Sequence, residues 1–311
     1  MGSSHEYSPA TARNDGPGHR SGRALVLGGG GSVGNAWLIG VITGLHRAGL
    51  DVTAADLIIG TSAGSTAAAQ ITSARPDRLL ADILGATPPP LPAGAERDGR
   101  PARRGPVVDH RARTDRIIAA AQDAPDMRRR LGAAALALEA PADWSARWRA
   151  IVAARLPGER WPATRVLITA IDALSGEPVV FDSNSGVDLV DAVAASCSSG
   201  FAYRIGDGWY LDGGYRSNAD NADLAAGHER VLVLSPFGGR SRTPDRWGMH
   251  LTDQVAELRD HGSIVETLFP DRASLAVFGD DVMDATRRAP AARAGRDQGV
   301  ALAAGLRTLW D

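Results

Sequence analysis

"LVLGGGGSVGNAWLIGVITGL", residues 25–45, sets a short apolar run against four consecutive glycines, with a fifth, Gly34, three residues on. Trp37, Leu38, Val41, Ile42 and Leu45 then recur at helical spacing, and Gly49 is suited to end the helix. "ADLIIGTSAGSTAAAQITS", residues 55–73, repeats the plan: apolar strand, sharp glycine-flanked turn, helix opening on small residues. Two strand–turn–helix units within about 50 residues predict an α/β fold, a mainly parallel central sheet flanked by helices.

Outward from these units the chain divides into three, the second region holding an insertion. Residues 1–22 are polar and rich in Gly, Pro and Ser, without the apolar core of a signal peptide, and read as a disordered N-terminal tail. Residues 23–238 hold the strand signals and read as the main domain. Within it, residues 86–160 begin as a Pro/Gly/Arg loop and continue as an Ala/Arg-rich helical insertion. Residues 239–311 read as a mainly helical C-terminal region packed on the domain. Sheet character returns in "TRVLITAIDALSGEPVVFD", residues 164–182, whose two β-rich runs flank a Ser175-Gly176 turn. "GVDLVDAVAASCSSG", residues 186–200, reads as a helix ending near Gly200, "DGWYLDGGYRSN" as a strand entering a Gly-Gly turn, and "ERVLVLSPF" as the last buried strand.

Composition narrows the chemistry. The 311 residues are 44% hydrophobic and carry a net charge of −2, so no overall field favours nucleic acid. All 34 basic side chains are arginine, which removes Walker-type, Schiff-base and Ser–Lys mechanisms. One cysteine, Cys197, leaves no internal disulfide and no multi-cysteine metal site. Neither metal nor cofactor is expected. No apolar run reaches the roughly 18–20 residues of a membrane span, so the expected location is cytoplasmic, with transient peripheral contact at a membrane surface.

Gly29, Gly31 and Gly34 spell G-x-G-x-x-G, which invites a dinucleotide. That reading needs an acid at the end of the second strand to hold the ribose. Here Asp56 precedes the second strand, and Ser62 occupies its end within G-x-S-x-G, Gly60 to Gly64. Such a turn lifts a serine hydroxyl out of the sheet beside a helix N-terminus. Ser62 is therefore the candidate nucleophile. The amides of the neighbouring glycine loop, Gly30 and Gly31, are candidate donors to an oxyanion. A proton acceptor is also needed. Of seven histidines, His5 and His19 fall in the tail, and His46, His110 and His228 are poorly located. His250 and His261 keep a Ser–His–acid triad open. Asp212, in "YLDGGYRS" before Gly213 and Gly214, is the stronger candidate base, although the same residues also read as a plain turn.

The three motifs in this order, G-x-G-x-x-G, G-x-S-x-G and D-G-G, resemble the patatin-like phospholipases, from about Arg23 to Leu234. The resemblance implies a Ser–Asp dyad and metal-free lipid acyl hydrolysis of phospholipid, galactolipid or acylglycerol esters. Ser62 would be the nucleophile, Asp212 the base and the Gly29, Gly30 and Gly31 amides the oxyanion hole. The chain departs from the family at Val33, where many members carry Arg or Lys, and at "CSSGF", where many have proline. The expected function is a serine lipid acyl hydrolase of the esterase, lipase or phospholipase A type. An acyltransferase using the same dyad and a nucleotide-binding module are the alternatives. Elsewhere, Cys197 reads as a packed small side chain and Trp144, Trp148 and Trp161 as core. Arg287, Arg288, Arg293 and Arg296 read as a solvated helical face. No cation-ligand set converges on Asp220 and Asp223.

Overall fold

The structure, a computed structural model, describes residues 22–86 and 110–310. The N-terminal tail and most of the Pro/Gly/Arg loop lie outside the described residues. The chain opens with β1 (Arg23–Leu27), α1 (Gly31–Arg47), β2 (Leu57–Gly60) and α2 (Ala63–Ile71). There follow α3 (Pro76–Gly85), α4 (His110–Ala120), α5 (Ala124–Leu136) and α6 (Trp144–Ala153). Next come β3 (Arg165–Asp172), β4 (Pro178–Phe181), α7 (Leu189–Ser196), β5 (Tyr203–Ile205) and β6 (Gly208–Asp212). The chain closes with β7 (Arg230–Leu234), α8 (Leu251–Asp260), β8 (Ile264–Leu268), α9 (Arg272–Phe278) and α10 (Arg288–Trp310).

The sheet runs β5-β6-β3-β2-β1-β7-β8, with β4 also paired to β3. From β3 to β8 the neighbours are parallel, whereas β4, β5 and β6 pair antiparallel at one end. The inner parallel strands β1, β2 and β7 are buried on both faces, as their nearly continuous apolar sequences require. Leu25, Leu27, Ile58, Leu232 and Leu234 face one layer, which includes α1, α2, α7 and α10. Ala24, Val26, Ile59, Val231 and Val233 face α8 on the other side. The insertion helices α4 and α5 form a third apolar cluster with Ile171 and Leu211.

Two expectations shift. The sheet does not end at β7, because "IVETL" adds β8 in parallel beside it. Its edge position leaves Ile264 exposed and Glu266 facing water, which blurs the apolar pattern. Helix α7 ends at Ser196 rather than near Gly200. The chain beyond it turns to the sheet, where the Ser198 carbonyl accepts the Asp212 amide at 2.9 Å.

Strand β1 has β2 on one side and β7, reached much later in the chain, on the other. Chain leaving a parallel sheet in opposite directions opens a crevice at the carboxyl ends of the strands. The glycine loop lies at that crevice.

Candidate active site

The glycine loop is fixed by its own amides. Gly28 N–H donates to the Leu234 carbonyl at 3.0 Å, and Gly29 N–H to the Ala219 carbonyl at 2.7 Å. Gly29 is thus corrected as an oxyanion donor, because its amide is already committed. Among the described residues, the Gly30 and Gly31 amides have no acceptor. Gly31 holds a left-handed φ of 63°, and a β-carbon there would lie 2.8 Å from the Val282 carbonyl. A side chain is therefore excluded on both conformational and steric grounds. Gly29 remains close to the site, since a β-carbon on it would be 3.6 Å from Ser62 Cβ.

One strand away, Ser62 caps α2 with φ 52° and ψ −113°. A non-glycine residue in such a region stores about 1–3 kcal/mol of strain, which the surroundings must hold. They do so densely. Ser62 N–H donates to Ser196 Oγ at 2.9 Å, and the Cys197 thiol donates to the Ser62 carbonyl at 3.2 Å. Burial pushes the Cys197 thiol up to about 11, so it remains a protonated donor. Gly64 allows the turn to close, because a β-carbon there would collide with the Leu27 carbonyl.

Asp212 ends β6, and its Oδ1 accepts the Gly214 N–H at 2.8 Å. Asp212 is 9% exposed, and the Ser62 hydroxyl lies close enough to lower the carboxyl's pKa. Burial pushes its pKa up to about 6, against the lowering effects of the Gly214 and Ser62 hydrogen bonds. Asn221, itself left-handed at φ 55°, ties the two turns together. Its amide donates to Thr61 Oγ1 at 2.9 Å and to the Gly213 carbonyl at 3.0 Å.

The fold therefore brings together the glycine loop, Ser62 and Asp212 from β1, β2 and β6. No histidine among the described residues joins them. His250 contacts the Thr243 carbonyl, His261 the Glu257 carbonyl and His110 the Tyr215 hydroxyl. Asp223 pairs with Arg216 at 2.8 Å, while Asp220 is buried separately beneath Gly28, its pKa pushed up to about 7 by burial. Trp148 and Trp161 donate to the Ala194 and Val187 carbonyls, and Trp144 stacks on Trp148. These contacts pack the insertion against the domain. Arg288 corrects the expected solvated face, since it donates to the Ser32 carbonyl at 2.7 Å. Ser196, Asn221 and Arg288 carried no motif. Their partners lie far away in sequence, which periodicity does not report.

A protein-family model described as patatin-like phospholipase matches residues 25–225, well over half of the chain. The chain belongs to the patatin-like phospholipase family. Among solved structures, it is similar to VipD from Legionella pneumophila, at a TM-score of 0.40 and 11% identity, covering 92% of this chain and 67% of that one. No curated protein matches the chain. No helix among the described residues is long and apolar enough to cross a membrane.

Proposed function

We propose that the protein is a serine lipid acyl hydrolase in which Ser62 is the nucleophile, Asp212 the general base, and the Gly30 and Gly31 amides the oxyanion hole. One observation carries this reading: the Ser62 side chain reaches a buried carboxylate of raised pKa beside two amides that have no acceptor among the described residues. Asp212 takes the Ser62 proton as Oγ bonds to the acyl carbon. The carbonyl electrons move to oxygen, where the two amides stabilise them. When the intermediate collapses, Asp212 returns the proton to the departing alkoxide and leaves an acyl-serine. Asp212 then takes a proton from water, whose oxygen attacks the acyl-serine. The fatty acid leaves, and Ser62 regains a proton.

The surroundings favour an apolar acyl group. Met283 is 56% exposed and its sulfur lies about 3.1 Å from a β-carbon position on Gly31. A groove of about 310 Å³ lined by Phe237, Gly238, Arg240, Phe269, Pro270 and Leu275 opens where β7 and β8 end, apolar but for the one arginine. Hydrolysis of p-nitrophenyl butyrate is the direct test. Ser62→Ala is expected to lower kcat by about 10⁴-fold or more. Turnover that survives in this variant removes Ser62 from the role. Products formed with added alcohol separate the acyltransferase alternative: ester accumulation in place of free acid assigns transfer.

A further inference from the structure

The family match ends at residue 225, yet later residues brace the glycine loop. Pro236 Cβ lies 2.5 Å from a β-carbon position on Gly30, and the Val282 carbonyl accepts the Val33 N–H at 2.9 Å. Arg288 adds the only charged side chain among these three. Its Nη1 donates to the Ser32 carbonyl at 2.7 Å and to Ser32 Oγ at 3.1 Å, and its Nη2 to Asn35 Oδ1 at 3.2 Å. Ser32 directly follows Gly31. We propose that Arg288 is a positioning residue of the oxyanion hole, holding the first turn of α1, and with it the Gly30 and Gly31 amides, in register with the helix that carries Ser62. The inference rests on the function proposed above.

Asn35 transmits the constraint. It is 5% exposed, and its Nδ2 donates to the Ala63 carbonyl at 3.4 Å and to Gln70 Oε1 at 3.0 Å. Ala63 is the residue after Ser62. An amide offers one acceptor side and one donor side. Arg288 occupies the acceptor side, so Asn35 must direct its donor toward α2. The flipped amide would set its NH₂ against the guanidinium. A hydrogen-bonded path thus runs from α10 through α1 to α2.

Arg288 is also held firmly. Helices α1 and α10 meet glycine on glycine: β-carbons on Gly40 and Gly44 would collide with the Ala292 and Arg296 carbonyls. A β-carbon on Gly295 would come within 2.5 Å of the Trp37 carbonyl.

The charge environment indicates more than packing. No carboxylate pairs with Arg288 among the described residues, and its pKa is lowered first by burial and then by the charge of another cation, Arg155. It also lies at the N-terminal end of α1, where the helix dipole disfavours a cation. These conditions suit negative charge developing next to the loop, as an oxyanion does.

The test compares wild type, Arg288→Gln and Arg288→Lys, with Ser62→Ala as the blank. Each is assayed on neutral p-nitrophenyl butyrate and on phosphatidylglycerol vesicles. Arg288→Gln is expected to lower kcat by about 10- to 100-fold on both substrates, with KM changed less than about threefold. Arg288→Lys keeps the charge and most of the packing and is expected to lose less, about 3- to 10-fold in kcat, at an unchanged melting temperature. This variant decides the matter if Arg288→Gln does not fold. Unchanged kcat in the folded variants overturns the proposal. So does a loss confined to the anionic vesicles, which would make Arg288 a headgroup contact, or a loss confined to KM. Wild-type turnover that persists in Ser62→Ala is a separate failure, that of the nucleophile assignment.

Discussion

The units β1–α1 and β2–α2 share one plan, and they complete it differently. Both leave a parallel strand through a glycine-flanked turn into a helix. The first leaves the Gly30 and Gly31 amides without acceptors among the described residues, while the second strains Ser62 to φ 52°. Their supports differ as well. The Ser62 turn is braced by Ser196 and Cys197 at the end of α7 and by Asn221 near Asp212. The glycine loop is braced from the C-terminal segment, by Pro236, Val282 and Arg288. In the proposed mechanism the same supersecondary unit supplies a nucleophile or an oxyanion hole according to what is packed behind it. Neither unit is a complete site alone.

Substitutions should separate the two units by size and kind of effect. Asp212→Asn, which leaves the Ser62 turn without its proposed proton acceptor, should lower kcat by about 10²- to 10⁴-fold on p-nitrophenyl butyrate, with the protein still folded. Gly31→Ala acts on the other unit. It should cost about 10²- to 10³-fold in kcat, read on the same ester, because it displaces a donor amide. Normal turnover in Gly31→Ala would detach the loop from the chemistry.

The pH dependence follows from the Asp212 pKa of about 6. In the proposed mechanism the ionised carboxylate is the base, so kcat/KM should be at plateau well above pH 6, half-maximal near 6, and lost as the pH falls further. Stability should move in the opposite sense. The folded state keeps a proton that the unfolded chain releases from near pH 3.8, so the contribution from this group is fully present below pH 3.8 and lost as pH rises through about 6. Asp212→Asn removes this dependence and should stabilise the protein by about 2–3 kcal/mol at pH 8, with no gain near pH 3, measured by urea unfolding.

Cys197→Ala should have the smallest effect. It removes one donor to the Ser62 carbonyl, which Ser65 Oγ also contacts at 2.6 Å. About 1 kcal/mol of stability and less than about threefold in kcat are expected, by thermal unfolding and ester assay.

What could be read in the sequence was what is contiguous. The β1–α1 and β2–α2 units, the G-x-S-x-G turn and the Asp212-Gly213-Gly214 turn are each a few residues long, and their glycines and apolar runs report local conformation. The committed Gly29 amide was not readable, because its acceptor, the Ala219 carbonyl, is 190 residues away in the chain. Arg288 resembled other arginines on a polar helix, because hydropathy does not register a guanidinium that turns back onto another helix. Strand β8 was obscured by Glu266, an edge residue that needs no apolar partner. Asn221 lies in a polar run whose left-handed backbone leaves no periodic mark.

The most direct measurement is the site and rate of covalent labelling by a fluorophosphonate, mapped by peptide mass spectrometry in wild type and Asp212→Asn. This probe tests the proposed nucleophile, base and oxyanion hole without any choice of lipid. A single adduct on Ser62, formed at least about 100-fold more slowly in Asp212→Asn, is the expected result. Folded wild-type protein that takes no adduct on Ser62, or that reacts at the same rate without the Asp212 carboxylate, would contradict a shared acyl-transfer site built from the two turns.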